Sequence, residues 1–564
     1  MGFLRGLLEP YIHNNTCSKE GQGFPFSVAI VERGPKDYYS NSQQRDLSRW
    51  FEAAHQDCSS SVSILSAMVS GRQMSIPVGR GVGGGSNINA GLCMAPPLSD
   101  WKDWPEPWRT DLPVSVRKLQ QHLAKNGCLC DAATGRPISV QDLSSPGTPT
   151  TPCLARQTIG NNDNSRMINS VERVNYYQGL LEPLLLLLQG NAKQSTPFHW
   201  YYNTEAQRLL FDAETTCNRV SGIEVMKVPD GSYTRLSARK EVILCAGAIE
   251  TPALLLVSGI GTGSISNKSS HHLRDHVILP RVMLGPPPFW NSTINGIHSI
   301  QSTIVETNKF LILTSTTKPE IALHYMTRVF QKYWFSMLAS GELSQRLWHI
   351  LEQLLRLLVL YSPVYWIMMY GFTTINLALV NPASKGSLCL KPKTGELLLY
   401  NVPPCRKDFD VHIEPGYLTQ STDVEALWKG WVASNFVLDR HQGWEVYPGR
   451  IFRFLQSWLG TTEIPTRSQT TVPTWFSQYA HDHCLPFFHW CGSCAMKPPS
   501  DAADTTGSRG NNTWVVDADM KVRGVQSLRI CDASVLPNNL SVPPALTCAA
   551  MGHRLASTMH GRTQ

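Results

Sequence analysis

Chemistry in this 564-residue chain concentrates near its C-terminus, in His489-Trp490-Cys491-Gly492-Ser493-Cys494-Ala495-Met496. His489 follows the apolar run Leu485-Pro486-Phe487-Phe488 and precedes a turn of small residues. An imidazole in apolar surroundings stays neutral near pH 7 and can accept a proton. Further on, Ser527 to Cys531 reads as a buried strand that ends in Asp532-Ala533-Ser534. An acid followed by small residues at a strand end predicts a tight turn into a helix whose N-terminal N–H groups face an electronegative ligand. A zinc reading competes, because His481, His483, Cys484, His489, Cys491 and Cys494 crowd together and Cys491-Gly-Ser-Cys494 is a C-x-x-C. Zinc sites usually pair two such clusters at set spacing, and the sequence has no second C-x-x-C. A core histidine bonded to backbone is the plainest alternative for His489.

The elements that must position these groups are legible upstream. Phe3 to Leu8 reads as helix, and Phe26 to Gly34 as a strand ending in Glu32. In a dinucleotide-binding unit the second strand ends in an acid that bonds the ribose hydroxyls, which suits Glu32. The first strand and G-x-G-x-x-G turn that should precede it are not present, so the chain is expected to begin at a methionine inside the first helix. Gly79-Arg80-Gly81-Val82-Gly83-Gly84 matches that turn only formally, since the segment before it is short and contains Pro77. Its glycines suit close backbone approach to a ligand instead. Leu180 to Leu188 reads as buried helix. Val242 to Cys245 reads as a buried parallel strand, and the next helix is expected to start near Thr251-Pro252 with the proline at its first position.

Composition bounds the class. The chain is 42% hydrophobic and 16% charged, which fits a globular protein long enough for two domains. A net charge of +7 without long basic runs argues against a nucleic-acid partner. Fifteen scattered cysteines suit buried thiols in a reducing, intracellular setting better than a disulfide framework. Asn291-Ser292-Thr293 and Asn511-Asn512-Thr513 are glycosylation triplets, which are common by chance. Leu357 to Tyr370 is the most apolar stretch, but Pro363 interrupts it and it falls short of the ~20 residues of a membrane span. It reads as a buried or interfacial segment and leaves a peripheral membrane contact open.

Three motifs together resemble glucose–methanol–choline (GMC) flavoprotein oxidoreductases. The first is Gly79-Arg80-Gly81-Val82-Gly83-Gly84-Gly85-Ser86-Asn87-Ile88-Asn89. The second is Glu241 to Pro252 with Ser258-Gly259-Ile260-Gly261. The third joins the His489 motif to Leu528-Arg529-Ile530-Cys531-Asp532-Ala533-Ser534-Val535-Leu536-Pro537. Asn381 to Ser387 and Glu414 to Leu418 also resemble the family's substrate-domain pattern.

The resemblance implies an α/β fold. A Rossmann-like FAD-binding domain, incomplete at the N-terminus, would comprise residues 1–110, 200–285 and 505–564. An α+β substrate domain with an antiparallel sheet would comprise 111–199 and 286–504. It implies FAD-dependent oxidation of the CH–OH group of a small alcohol by hydride transfer, with His489 as base. Cofactor-binding residues would be Glu32, Gly83, Gly84, Ser86, Asn89, Ala206, Gly247, Asp532 and Ala533, with no metal.

The family's flavin-linked histidine position holds Ile88, which implies noncovalent FAD. An apolar substrate is expected from Leu357 to Tyr370 and from Phe487-Phe488 and Trp490. The electron acceptor, oxygen or another, is left open. Where the family usually has a second His or Asn, this chain has Pro543; Asn538 or Asn539 in the preceding turn is a candidate substitute, and what replaces the family's group is left open. That departure keeps a non-redox or photochemical relative in play, and the absent glycine turn keeps a noncatalytic protein without cofactor in play. Asp275-His276 fits a domain-crossing element and carries no expected chemistry.

Overall fold

The structure, a computed structural model, describes residues 1–13, 24–36, 47, 62–69, 72–132, 134–144, 151–161, 167–190, 196–212, 218–261, 269–284, 297–305, 308–316, 347, 350–351, 353–354, 372–393, 404–435, 444–447, 471–499 and 514–561. Asn291, Asn512 and the run Leu357 to Tyr370 lie outside these residues. Two compact units emerge: Met1–Val277 with Val380–Gln420 and Pro486–Gln564, and Ile278–Leu379 with Ser421–Leu485. Residues 111–199 lie within the first of these contact units.

In the first unit, short parallel strands carry the apolar runs. Strand β1 (Val28–Val31) pairs in parallel with β2 (Phe198–Tyr201). Strand β3 (Val242–Leu244) pairs in parallel with β4 (Leu528–Ile530). These are two separate two-stranded sheets. Antiparallel sheets complete the unit. One runs in the order Ser269–Leu273, Gly386–Pro392, Phe409–Glu414, Val62–Val69, Arg72–Gly79, with a parallel step between its third and fourth strands.

Four helices of this unit are α1 (Gly2–His13), α2 (Trp108–Lys125), α3 (Gly247–Val257) and α4 (Ala545–Gly561). Helix α1 crosses α4 at close range, and small residues make the crossing possible. A Cβ on Gly6 would meet His553 O at 2.7 Å, and one on Gly552 would meet Phe3 N at 2.7 Å. Leu4 and Leu8 fill the adjoining core. A buried ionic cluster closes the same face. Arg5 Nη2 donates to Glu9 Oε1 at 2.8 Å, while His553 Nε2 lies 2.6 Å and Lys118 Nζ 3.1 Å from Glu9 Oε2. Burial alone would raise the Glu9 carboxyl. The His553 hydrogen bond and the Arg5 charge outweigh that and hold it far below its usual range.

Two expectations about helices are corrected. Helix α3 begins at Gly247, not near Thr251-Pro252, so Pro252 lies inside it. Proline cannot supply the amide hydrogen due to Ala248 O four residues back. Ser493 Oγ donates to that carbonyl at 2.6 Å instead, so the helix continues through the proline. The run Leu180 to Leu188 is helical but not wholly buried, as Leu186 and Leu187 are 61% and 57% exposed.

The second unit is built on an antiparallel sheet in the order Ile297–Val305, Asn308–Thr316, Phe372–Leu379, Val277–Leu284, Trp444–Tyr447. Helices Ser421–Ala433 and Thr474–His483 bring Trp428, Trp431, Trp475 and Phe476 into edge-to-face contact. Arg281 lies buried against Trp431, 4.2 Å from the ring centroid, and donates to Trp431 O and Ser434 Oγ. No described helix is long and apolar enough to cross a membrane.

Candidate active site

His489 stands on the segment that leaves the apolar run Pro486 to Phe488. Its backbone is fixed by one carboxylate. Asp275 Oδ1 accepts the amides of His276 and His489, both at 2.8 Å. Asp275 Oδ2 accepts the amides of Phe487 and Phe488 at 3.1 and 3.2 Å, and the Tyr417 hydroxyl at 2.7 Å. Phe488 adopts a positive φ of 61°, which turns these successive amides inward. All five partners are donors, so the ionised acid matches the set. Burial nonetheless pushes Asp275 up to about 7 against the hydrogen bonds from Tyr417, His489 and His276.

The two imidazoles meet edge to face, with His489 Nδ1 3.0 Å from His276 Nδ1 and an interplanar angle of 88°. His276 Nε2 lies 2.8 Å from Leu540 O. His276 is buried, and desolvation lowers its pKa to about 4. Desolvation and the neighbouring His276 hold His489 well below the usual histidine range. Among the described residues no hydrogen bond ends on His489 Nε2. The Phe487 ring lies 4.2 Å from the His489 ring, centroid to centroid.

The cysteines flanking this histidine are core thiols. Cys491 Sγ donates to Asn539 Oδ1 at 2.9 Å, and burial pushes it up to about 12. Burial also raises Cys494. Among the described residues no group of three or more His, Cys, Asp or Glu side chains is arranged to hold a metal ion.

Asp532, expected to open a ligand-facing helix, caps a single 3-10 turn, Ala533–Val535. Its Oδ1 accepts Ser534 N at 2.8 Å, and its Oδ2 accepts Gly247 N at 2.9 Å and the Thr251 hydroxyl. The structure thus brings Gly247, Asp532 and Ala533 together, although Asp532 uses the amides of Ser534 and Gly247 itself. The His489 segment joins the group through Gly492 N donating to Ala533 O and Cys494 N donating to Ser534 O.

Glu32, Gly83, Gly84, Ser86 and Asn89 form a second group. Glu32 Oε1 accepts Gly34 N at 2.9 Å and Gly81 N at 2.8 Å, tying the end of β1 to the glycine loop. Gly83 has φ +115°, and a Cβ there would strike Asn175 and Asn87. Ser86 Oγ donates to Gly83 O, and Arg173 Nη1 donates to Asn89 O. Ala206 stands two residues beyond Thr204, whose amide donates to Glu32 O. Helix α3 links the groups, since it begins at Gly247 and its Glu250 carboxylate lies 3.9 Å from Arg33. A Cβ built on Gly84, Gly85 or Gly247 would meet nothing within 4 Å, so open space lies before the glycine loop and the start of α3.

Two further observations bear on the chemistry. The side-chain amides of Asn538 and Asn539 are both hydrogen-bonded to protein groups. Asn538 accepts from Trp104 Nε1 and donates to Asp100 O, while Asn539 accepts from Cys491 and donates to Asp275 O. Sequence reasoning also missed His276. An Asp-His pair before an apolar strand was the available signal, but nothing in the spacing ties residue 276 to residue 489.

Against known families, the chain matches the GMC oxidoreductase N-terminal model over residues 56–141 and 189–278 and the C-terminal model over 403–552. Together these cover more than half of the chain, which belongs to the GMC oxidoreductase family. It is 25% identical to the oxidoreductase cicC of Emericella nidulans, over 60% of this chain and 52% of that protein. It is 23% identical to an oxygen-dependent choline dehydrogenase of Citrobacter koseri, over 63% of this chain and 56% of that protein. The chain thus spans about half the length of the curated relatives it matches.

The fold is shared with pyridoxine 4-oxidase from Mesorbium loti (TM-score 0.60, 15% identity, 99% of this chain and 97% of that one). It is also shared with a fungal aryl-alcohol oxidase (TM-score 0.58, 14% identity, 100% and 97%). The α/β architecture is therefore that of this family, a Rossmann-like FAD-binding fold with a substrate domain.

Proposed function

We propose that this chain is a FAD-dependent oxidoreductase that oxidises the CH–OH group of a small alcohol, with His489 as the base. The observation that carries the reading is the pairing of a neutral His489 with His276 at 3.0 Å, which leaves Nε2 without a protein partner among the described residues. The fit of the cofactor rests on the open space before Gly84, Gly85 and Gly247 and on the glycine loop strapped to Glu32. Glu32, Gly83, Gly84, Ser86, Asn89, Ala206, Gly247, Asp532 and Ala533 would hold FAD noncovalently, Ile88 offering no attachment. Bound flavin supplies the hydride acceptor. The residues present do the rest. Asp275 fixes the backbone of both histidines, His489 Nε2 accepts the hydroxyl proton, and Phe487 and Phe488 supply an apolar flank that suits a nonpolar substrate.

The test is anaerobic titration of the FAD-loaded chain with short and long alcohols, followed by flavin absorbance. Bleaching by an alcohol in the wild type and its loss in His489→Ala support the reading. Flavin that binds yet is reduced by no alcohol favours the second reading, a non-redox relative on this fold. The engagement of Asn538 and Asn539 by protein groups, with Pro543 at the family's second position, favours that alternative.

A further inference from the structure

We propose that His276 is a positioning residue that fixes the tautomer of His489, holding the proton on Nδ1 so that Nε2 presents its lone pair. The inference rests on His489 acting as proposed above, but its geometry stands independently. A carbonyl oxygen can only accept, so the 2.8 Å contact with Leu540 O places a hydrogen on His276 Nε2. A neutral imidazole carries one N–H, so His276 Nδ1 is then an acceptor. Burial keeps His276 neutral near pH 7, lowering its pKa to about 4. His489 Nδ1, 3.0 Å away, must therefore be the donor. The hydrogen on the neutral His489 ring is thereby committed to Nδ1, and Nε2 is the basic nitrogen.

The reverse assignment fails on the same contacts. With the hydrogen on His489 Nε2, the two Nδ1 lone pairs would face each other at 3.0 Å. A charged His276 could relieve that clash, but its buried position opposes the charge. The orientation is as constrained as the tautomer. Asp275 Oδ1 accepts both histidine amides, so the rings are carried on two backbones referred to one oxygen. Around the pair stand Asp275, Tyr417, Cys491 and Asn539, and the last two are joined to each other.

The experiment reads the tautomer directly and the turnover separately. Protein carrying 15N-histidine is compared as wild type, His276→Asn and His276→Phe, with His489→Gln used to assign the resonance. An asparagine oxygen can take the place of His276 Nδ1 as acceptor, whereas phenylalanine removes it. Wild type and His276→Asn are expected to show His489 protonated at Nδ1. His276→Phe is expected to show a shift toward the Nε2–H form. With an alcohol that the wild type oxidises, His276→Phe is expected to lower kcat roughly 10- to 100-fold with little change in KM, and His276→Asn to restore most of it.

Wild-type His489 protonated at Nε2 would overturn the proposal. So would an unchanged Nδ1–H tautomer in His276→Phe. Should that variant not fold, the wild-type and His276→Asn spectra decide the matter alone. If no alcohol is oxidised at all, the proposed function fails, while the nitrogen shifts still decide this inference.

Discussion

Pro252 and Ser493 are complementary: the proline withholds a hydrogen from Ala248 O inside α3, and the serine hydroxyl supplies one at 2.6 Å. The two residues lie 241 positions apart, yet they complete one helical turn between them. This contact also ties the segment after His489 to the helix that begins at Gly247.

Removing the hydroxyl tests that coupling. Ser493→Ala leaves Ala248 O without its donor and is expected to cost about 1–3 kcal/mol. Adding Pro252→Ala restores a backbone N–H at that point and should recover part of the loss. Denaturant melts of both single variants and the double variant read the interaction. Strict additivity would remove the argument.

Glu32 is expected to hold the cofactor through the loop as well as by direct contact. Its Oε1 already receives the amides of Gly34 and Gly81. Glu32→Ala should release that loop and weaken FAD binding by roughly 10- to 100-fold, the scale of hydrogen bonds to a charged acceptor. Equilibrium dialysis of FAD measures this. An unchanged dissociation constant would mean the strap is irrelevant to binding.

The ionic cluster joining α1, α2 and α4 gives a stability prediction. Glu9→Ala leaves buried Arg5 without its carboxylate and removes the acceptor beside His553, and should cost about 3–5 kcal/mol. Because the folded-state pKa of Glu9 is depressed, its contribution is present above the unfolded carboxyl value and fades as pH falls below it. Thermal melts from pH 7 down to pH 3 should therefore flatten in Glu9→Ala relative to wild type. Parallel curves would contradict this.

Asp275 has the opposite sign. Its folded-state pKa is raised to about 7, above the unfolded value of about 4. The folded state then binds more protons between those values, so this group's contribution is fully present below about pH 4 and is lost as pH rises through 7. Facing it are His276, His489, Tyr417 and the amides of Phe487 and Phe488. Asp275→Asn should remove this slope, while lowering activity because an amide group replaces one acceptor oxygen with a donor. Melts and alcohol turnover across pH 4 to 8 check both effects.

Much of the fold was legible because it follows local rules. The strand at Val28–Val31 ending near Glu32, the parallel strand at Val242–Leu244 and the turn after Ile530 were all readable from apolar runs closed by an acid or small residues. The start of α3 was not. A proline signals a first turn, and only the distant Ser493 explains why it is tolerated in an interior one. Asp532 reads as the opening of a helix, yet its side chain is consumed by Ser534, Gly247 and Thr251. Of the candidate site, His489 was visible because a motif surrounds it. His276 was not, because its importance lies in a contact across 213 positions that no periodicity records. The hydrogen bonds of Asn538 and Asn539 were unreadable for a similar reason, as both amides serve partners remote in sequence.

The single oxygen that receives the amides of His276 and His489 has a consequence for precision. Two parts positioned from separate supports accumulate the errors of both, while two parts gauged from one datum share any displacement of it. Asp275 Oδ1 is such a datum. If the surrounding chain breathes, the two backbones are displaced together, and the 3.0 Å contact between the two Nδ1 atoms is the relationship this shared support favours.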